Sequence, residues 1–481
     1  MASALSGAAI LAGGGVRPAR AADAPAAKAP GDAPRRRPNI IFILADDLGY
    51  GDLGCYGQKK VQTPCLDRMA REGMRFTDFY SGSTVCAPSR SCLMTGQHTG
   101  HTIIRGNATV PLRPQDVTVA EVLKAAGCRT ALIGKWGLGE VGSTGYPTRK
   151  GFDYFYGLVN QGDCHFHYFE HVYRNQEKVV LAGNDHKKQT GQYLNDLYAK
   201  EGLAYVEQSA KAQPAQPFFL YLSYTIPHAE LAVPEDSLKE YAGQFPETPN
   251  PGGHYGAQPT PRAAFAGMVS RLDRCVGRLL DKLRELGLAE NTIVFFSSDN
   301  GPHKEGGADP AFFQSSGPLT GIKRNLTEGG IRVPLIAWQP GTIAAGSTCA
   351  HPSAFWDFLP TAAELAGARL PPIDPLDGIS FAPSLLGRPQ AAHEFLYWEF
   401  HEGGSRQAVR MGQWKAIARA FDAPLRLYDL SADIAETKDV AAEHPDVVRK
   451  ITDYLKTARS ESEHWKAPKS GPKKPGKADK G

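Results

Sequence analysis

No stretch of this sequence approaches the roughly 20 continuous apolar residues that a membrane span needs, so no transmembrane segment is expected. No C-x-x-C spacing marks a zinc site, and no internal repeat is visible. Basic charge is scarce in the body of the chain. The formal net charge is +4, but Lys466–Gly481 contributes +5 and Met1–Arg37 contributes +4, which leaves about −5 for residues 38–465. With its basic charge confined to the two ends, the chain is not expected to bind nucleic acid. What remains is a 481-residue chain with 42% apolar and 22% charged residues, an ordinary balance for a soluble globular protein. That length suffices for one large domain and a smaller one.

The two ends read differently from the middle. Residues 1–37 are expected to be a leader and linker, cleaved or disordered. Ala4–Val16 is small and apolar, and Ala19-Arg20-Ala21 resembles a cleavage site. The positive start of a leader is missing, as it would be if the leader were truncated at its N-terminus. Export to a periplasm or out of the cell is expected on this basis, with a disordered Ala/Gly/Pro extension as the alternative. Residues 466–481, rich in Lys, Pro and Gly, read as a basic disordered tail. Of the eight cysteines, seven remain if Cys86 is modified, so cysteine usage does not settle the redox compartment. Asn107-Ala108-Thr109 and Asn325-Leu326-Thr327 match the glycosylation sequon, which matters only in a eukaryotic secretory host.

Between the ends, apolar runs alternate with helical patterns. Asn39–Ala45 is a short continuous apolar run, as in a buried parallel strand. Arg129–Ile133, Phe218–Tyr224, Thr292–Ser297 and Ile331–Trp338 read as further strands. Thr118–Ala126 and Ala263–Leu286 carry helical periodicity, each followed by glycine. The alternation predicts an α/β fold, a large mixed or parallel sheet sandwiched by helices, over residues 38–385. After that the composition changes. Phe395–Phe400, Ala408–Met411, Trp414–Ala418 and Leu425–Tyr428 are short strand-like runs, and His444–Arg459 looks helical. Residues 386–465 are therefore expected to form a smaller antiparallel sheet with a C-terminal helix.

Polar residues cluster just past the strands. Asp46-Asp47 ends the first, Lys135 follows the second, His228 follows Phe218–Tyr224, and Asp299-Asn300 ends Thr292–Ser297. Open α/β sheets bind ligands outside the carboxyl ends of their strands, so these side chains are expected at one edge. Asp46, Asp47, Asp299 and Asn300 form an all-oxygen set, suited to a hard cation such as Ca²⁺ or Mg²⁺ rather than zinc. An isolated Asp-Asp pair would instead read as a helix cap or turn.

The most specific feature is Cys86-Ala87-Pro88-Ser89-Arg90, continued by Thr95-Gly96. A lone cysteine before a Pro-Ser turn is often a buried core residue. This spacing, with Arg at +4 and Thr-Gly at +9 and +10, resembles the signature of the formylglycine-dependent sulfatases, arylsulfatase-like members of the alkaline-phosphatase-like superfamily. The resemblance extends over residues 38–465 through Pro38-Asn39-Ile40-Ile41, Asp46-Asp47, Gly134-Lys135-Trp136, Ser298-Asp299-Asn300-Gly301 and Glu328–Pro334. It implies that a maturase oxidises Cys86 to Cα-formylglycine, whose hydrate attacks sulfur and forms a covalent sulfate. It implies that Asp46, Asp47, Asp299 and Asn300 hold Ca²⁺, with position 86 completing the shell. It implies that Arg90 supports that group, that Lys135 and Lys323 hold the sulfate oxygens, and that His228 protonates the departing oxygen. The substrate expected from the resemblance is a sulfated carbohydrate, with aryl sulfates as surrogates.

One departure stands out. Many members read G-K-W-H, whereas position 137 here is glycine, which cannot act as a base. His165, in the polar-aromatic segment Gln161–Phe169, is the candidate replacement or substrate contact. Other readings stay open: a phosphate or phosphonate monoester hydrolase of the same superfamily, a non-catalytic sulfated-glycan binder, and a structural protein using Ca²⁺ for stability.

Overall fold

The Asn39–Asp46 strand shows how the sequence builds the core. All eight of its residues are buried. Ile40, Phe42 and Leu44 enter one apolar cluster, and Ile41, Ile43 and Ala45 enter another. A strand alternates its side chains between two faces, so a run that is apolar throughout must lie between two covered faces. The computed structural model describes residues 37–212 and 216–466. The expected leader and cleavage site, and the basic tail beyond Lys466, lie outside the described residues.

The large sheet has ten strands. Their order is Ser347–Cys349, Met74–Phe76, Leu335–Trp338, Thr292–Ser298, Asn39–Asp46, Phe218–Pro227, Arg129–Lys135, Tyr154–Leu158, His171–Arg174 and Glu177–Val180. The run from Thr292–Ser298 to Tyr154–Leu158 is parallel throughout, so the carboxyl ends of these strands share one edge. Antiparallel pairings flank this block on both sides. One face is covered by helices that include Cys86–Thr95, Val119–Ala125 and Phe358–Ala366, the other by Pro64–Glu72, Leu194–Lys211 and the long Pro261–Glu285. Among the described residues no helix is long and apolar enough to cross a membrane.

The strand expected over Ile331–Trp338 is shorter and is preceded by a helical turn. Glu328–Ile331 is helical and the strand covers Leu335–Trp338. Pro334 has no N–H to give a ladder, so the pairing with Thr292–Ser298 starts after it, while Arg332 bridges Tyr80 instead. This strand runs antiparallel to Thr292–Ser298.

Leu396–Phe400, Arg406–Met411, Trp414–Ala418 and Arg426–Asp429 form a four-stranded antiparallel sheet. Tyr397, Val409, Ala416 and Leu427 of this sheet cluster with Ile451 of the helix Pro445–Leu455. Trp398, Phe400, Ala408 and Ile417 alternate onto the other face and join the core of the large sheet. The Trp398 indole N–H donates to the Ser81 carbonyl at 2.9 Å.

Candidate active site

Asp46 and Lys135 are the last residues of their strands, and His228 and Asp299 directly follow theirs. Parallel pairing therefore delivers four side chains of three chemical types, two carboxylates, an ammonium and an imidazole, to one edge. Gly134 allows the Lys135 strand to approach its neighbour: a Cβ there would lie 1.8 Å from the Ser223 carbonyl oxygen. Across the edge, Cys86 is the first residue of the Cys86–Thr95 helix, and all ten residues of that helix are buried. Val85, before it, is extended. Free N–H groups and the helix dipole both favour negative charge at such an end.

The Cys86 sulfur lies 3.4 Å from Asp46 Oδ1 and is 1% exposed. Burial and the Asp46 charge push its thiol well above the usual range. A thiol held protonated is a weak nucleophile, which suits a precursor better than a working thiolate.

Arg90 lies one helical turn on, fully buried. Its Nε and Nη2 donate to Asp299 Oδ2 at 3.1 and 2.7 Å, and its Nη1 donates to Ser223 Oγ at 2.5 Å. The guanidinium thus fixes a carboxylate. The Lys135 ammonium donates to Asp46 Oδ2 at 2.7 Å, and the Lys323 ammonium to Asp47 Oδ2 at 2.8 Å. Burial alone would raise the Asp46 carboxyl, but Lys135 and Arg90 outweigh it and hold Asp46 well below the carboxylate range. Asp299 is pushed up to about 7 by burial and by the charge of Asp46, with Arg90 opposing.

Asp47 sits in the left-handed region with φ of 63°, a conformation that Asp tolerates better than most residues. Its N–H donates to Asp299 Oδ1 at 3.0 Å, so the two acidic loops are tied directly. Asn300 Nδ2 donates to Asp47 Oδ1 at 2.6 Å and to the Gly301 carbonyl at 2.9 Å. Its Oδ1 is buried without a hydrogen-bond partner among the described residues. An orphaned amide oxygen beside three buried, crowded carboxylates fits a hard divalent cation, whose charge would relieve the repulsion that raises Asp299.

His228 is buried on the opposite wall. Its Nδ1 meets the Ala229 carbonyl, and its Nε2 lies 2.9 Å from the Lys323 ammonium and 3.3 Å from Asp47 Oδ2. Burial and Lys323 together push its pKa well down. His165 stacks on His228 with ring centroids 4.1 Å apart, and its Nδ1 is 3.3 Å from the Tyr255 hydroxyl. Burial and His228 keep the His165 ring neutral, with its pKa far below the ordinary value. The side chain against Gly137 is instead Gln161. A Cβ on Gly137, which has φ of 78°, would lie 2.0 Å from Gln161 Nε2.

Every catalytic and metal candidate named from the sequence is thus at one edge of the sheet. Residues that sequence reasoning missed are Ser223, Tyr255 and Glu305. The Tyr255 hydroxyl donates to Glu305 Oε2 at 3.2 Å, and that oxygen lies 3.7 Å from Lys323 Nζ. Glu305 follows Asp299-Asn300 closely enough to have been suspected, whereas Tyr255 sits in a loop that carries no such signal.

The Sulfatase family model matches residues 38–368. The rat N-acetylgalactosamine-6-sulfatase is 34% identical over 406 residues, covering 79% of this chain and 71% of the relative. Human arylsulfatase A is 35% identical over 479 residues, covering 88% of each chain. Among solved structures, Ps i-CgsB in complex with k-i-k-neocarrahexaose superposes with a TM-score of 0.76 at 28% identity, covering 90% of this chain and 96% of the other.

Proposed function

This chain belongs to the sulfatase family, within the alkaline-phosphatase-like fold, and from that premise we propose that it hydrolyses a sulfate monoester on a sulfated carbohydrate to the alcohol and inorganic sulfate. The observation that carries this reading is the buried Cys86 at a helix N-terminus, 3.4 Å from an Asp46 that Lys135 holds from the other side. Converted by a maturase to Cα-formylglycine, position 86 supplies a geminal diol, one hydroxyl for attack on sulfur and one for release of the sulfate. Asp46, Asp47, Asp299 and Asn300 would hold Ca²⁺, which supplies positive charge beside that nucleophile.

The remaining chemistry belongs to this chain's own side chains. Three carboxylates face three buried cations, Arg90, Lys135 and Lys323, so a bound dication leaves the site positive and ready for an anion. Arg90 holds Asp299 in place. Lys135 and Lys323 are positioned to hold the peripheral oxygens of the sulfuryl group, where negative charge sits in the transition state. The His228–Lys323 pair delivers a proton to the departing sugar oxygen, with Lys323 as the reservoir behind a neutral imidazole. Export remains part of this reading, because a sulfated polysaccharide is met outside the cytoplasm. Matched 4-methylumbelliferyl sulfate and phosphate test the assignment. Faster sulfate hydrolysis supports it, and faster phosphate hydrolysis moves the chain to the phosphoesterases, whose dianionic substrate needs more local positive charge.

A further inference from the structure

A cavity of about 390 Å³ lies beside the reaction centre, within the roughly 300–1,000 Å³ usual for small-molecule sites. Its lining includes Asn107, Gly137, Glu140, Ser143, Asn160 and Gln161. Two links tie it to the chemistry. Gly137 is two residues beyond Lys135, and Asn107 Oδ1 accepts the N–H of Ala87, the neighbour of Cys86, at 3.0 Å.

We propose that this cavity is a subsite for an uncharged, hydroxyl-rich sugar ring adjoining the sulfated one. The inference rests on the reading of the chain as a carbohydrate sulfatase. The polar lining is made of three amides, the hydroxyls of Thr109 and Ser143 and one carboxylate, the groups that pair with sugar hydroxyls. Among the described residues none that lines the cavity is basic and Glu140 is acidic, so a second sulfate or a uronate is disfavoured there.

The cavity is also built for the purpose. Asn160 Oδ1 accepts the N–H groups of Gly162 and Asp163 at 2.8 and 3.1 Å, and its Nδ2 donates to Glu140 Oε1 at 2.9 Å. Asn160 thus has its oxygen fully engaged and one N–H holding Glu140 in a fixed orientation, with Glu140 Oε2 left to accept from a ligand. Gln161 Oε1 is buried without a partner among the described residues, an acceptor whose desolvation a sugar hydroxyl would offset. Glycine at 137 is what admits that carboxamide, since any Cβ would lie 2.0 Å from its nitrogen.

The test compares wild type, Glu140→Gln, Glu140→Ala and Gln161→Ala on 6-sulfated N-acetylgalactosamine and 4-sulfated galactose, each as the free sugar and within a tetrasaccharide whose neighbouring ring is neutral or is a uronate. Wild type is expected to favour the neutral-neighbour tetrasaccharide over the free sugar by about tenfold or more in kcat/KM, carried mainly by KM. Glu140→Ala and Gln161→Ala should each cut that ratio by about tenfold, while Glu140→Gln, which keeps an acceptor, retains most of it. Thermal melts establish that each variant is folded. A ratio near one in wild type, a ratio that survives both alanine variants, or a preference for the uronate neighbour overturns the subsite while leaving the sulfatase reading intact. Absence of sulfate release from every sugar and from 4-methylumbelliferyl sulfate overturns the sulfatase reading and the subsite with it.

Discussion

The Lys323 ammonium lies 2.9 Å from Nε2 of His228, and both side chains are buried. With Nδ1 facing the Ala229 carbonyl, the imidazole presents its Nε2 lone pair to the ammonium, and the proton between them stays on Lys323, because, against burial, Asp47 pushes the Lys323 pKa up while burial and Lys323 push that of His228 down. Proton delivery matters most when the leaving oxygen is a poor one. His228→Ala is therefore expected to cost about 10²–10⁴-fold in kcat on a sugar sulfate and much less on an aryl sulfate, whose phenolate leaves unaided. Parallel kinetics on the two substrate types measure this. An equal loss on both would place His228 in substrate binding instead.

The acidic cluster makes a separate prediction. Prolonged treatment with EDTA should abolish turnover, and Ca²⁺ should restore it better than Mg²⁺, because a cage of three carboxylates and an amide suits Ca²⁺, whereas Mg²⁺ gives up its waters reluctantly. Asn300→Ala removes the orphaned Oδ1 and should weaken Ca²⁺ binding, read by calorimetric titration, while the fold persists.

Position 86 should distinguish attack from release. Cys86→Ser offers a hydroxyl for attack and no second hydroxyl for release. A substoichiometric burst followed by a stall is expected, with a mass increase of about 80 Da on the position-86 peptide. Steady turnover by this variant would contradict the two-hydroxyl scheme.

Away from the site, Glu399 ties the small sheet to the loop after the Cys86–Thr95 helix and to the C-terminal segment. Its carboxylate is fully buried, 3.0 Å from Arg105 Nη1 and 2.8 Å from Arg459 Nε. Burial would raise its pKa, but His401, Arg105 and Arg459 outweigh burial and hold it at about 2. A folded pKa below the unfolded one stabilises the fold above the unfolded value of 4.5, and that stability is lost as pH falls toward 2. Denaturant melts should show the wild type losing on the order of 3 kcal/mol over that window. Glu399→Gln should be less stable at pH 7 and flatter through the window. Parallel pH curves for the two proteins would contradict this.

Much of this was legible in the chain. Short continuous apolar runs such as Asn39–Ala45 fit doubly covered strands better than helices, and the polar pairs that follow them fall at carboxyl ends whichever way the strands are ordered. Less was legible where a residue acts through contacts distant in sequence. Tyr255 reaches His165 across 90 positions, and nothing local in its loop announces it. The strand expected over Ile331–Trp338 was legible but its antiparallel direction was not, because an apolar run carries no direction, and its start reads early because Ile331 and Val333, which precede it, are apolar too. Gln161 was obscured by its neighbours: three residues with imidazole or carboxylate chemistry follow it, and its proximity to Gly137 depends on strand pairing.

The central claim is that Cys86 is the precursor of the group that attacks a sulfate ester. The most direct test is sulfate release from defined sulfated saccharides by protein whose position-86 peptide is shown by mass to be about 18 Da lighter than the cysteine form. The account predicts release by this protein, and none by Cys86→Ala or by protein that retains the thiol. Equal release by the unmodified or alanine protein, or silence from the fully converted protein across the saccharides and an aryl sulfate, would contradict it.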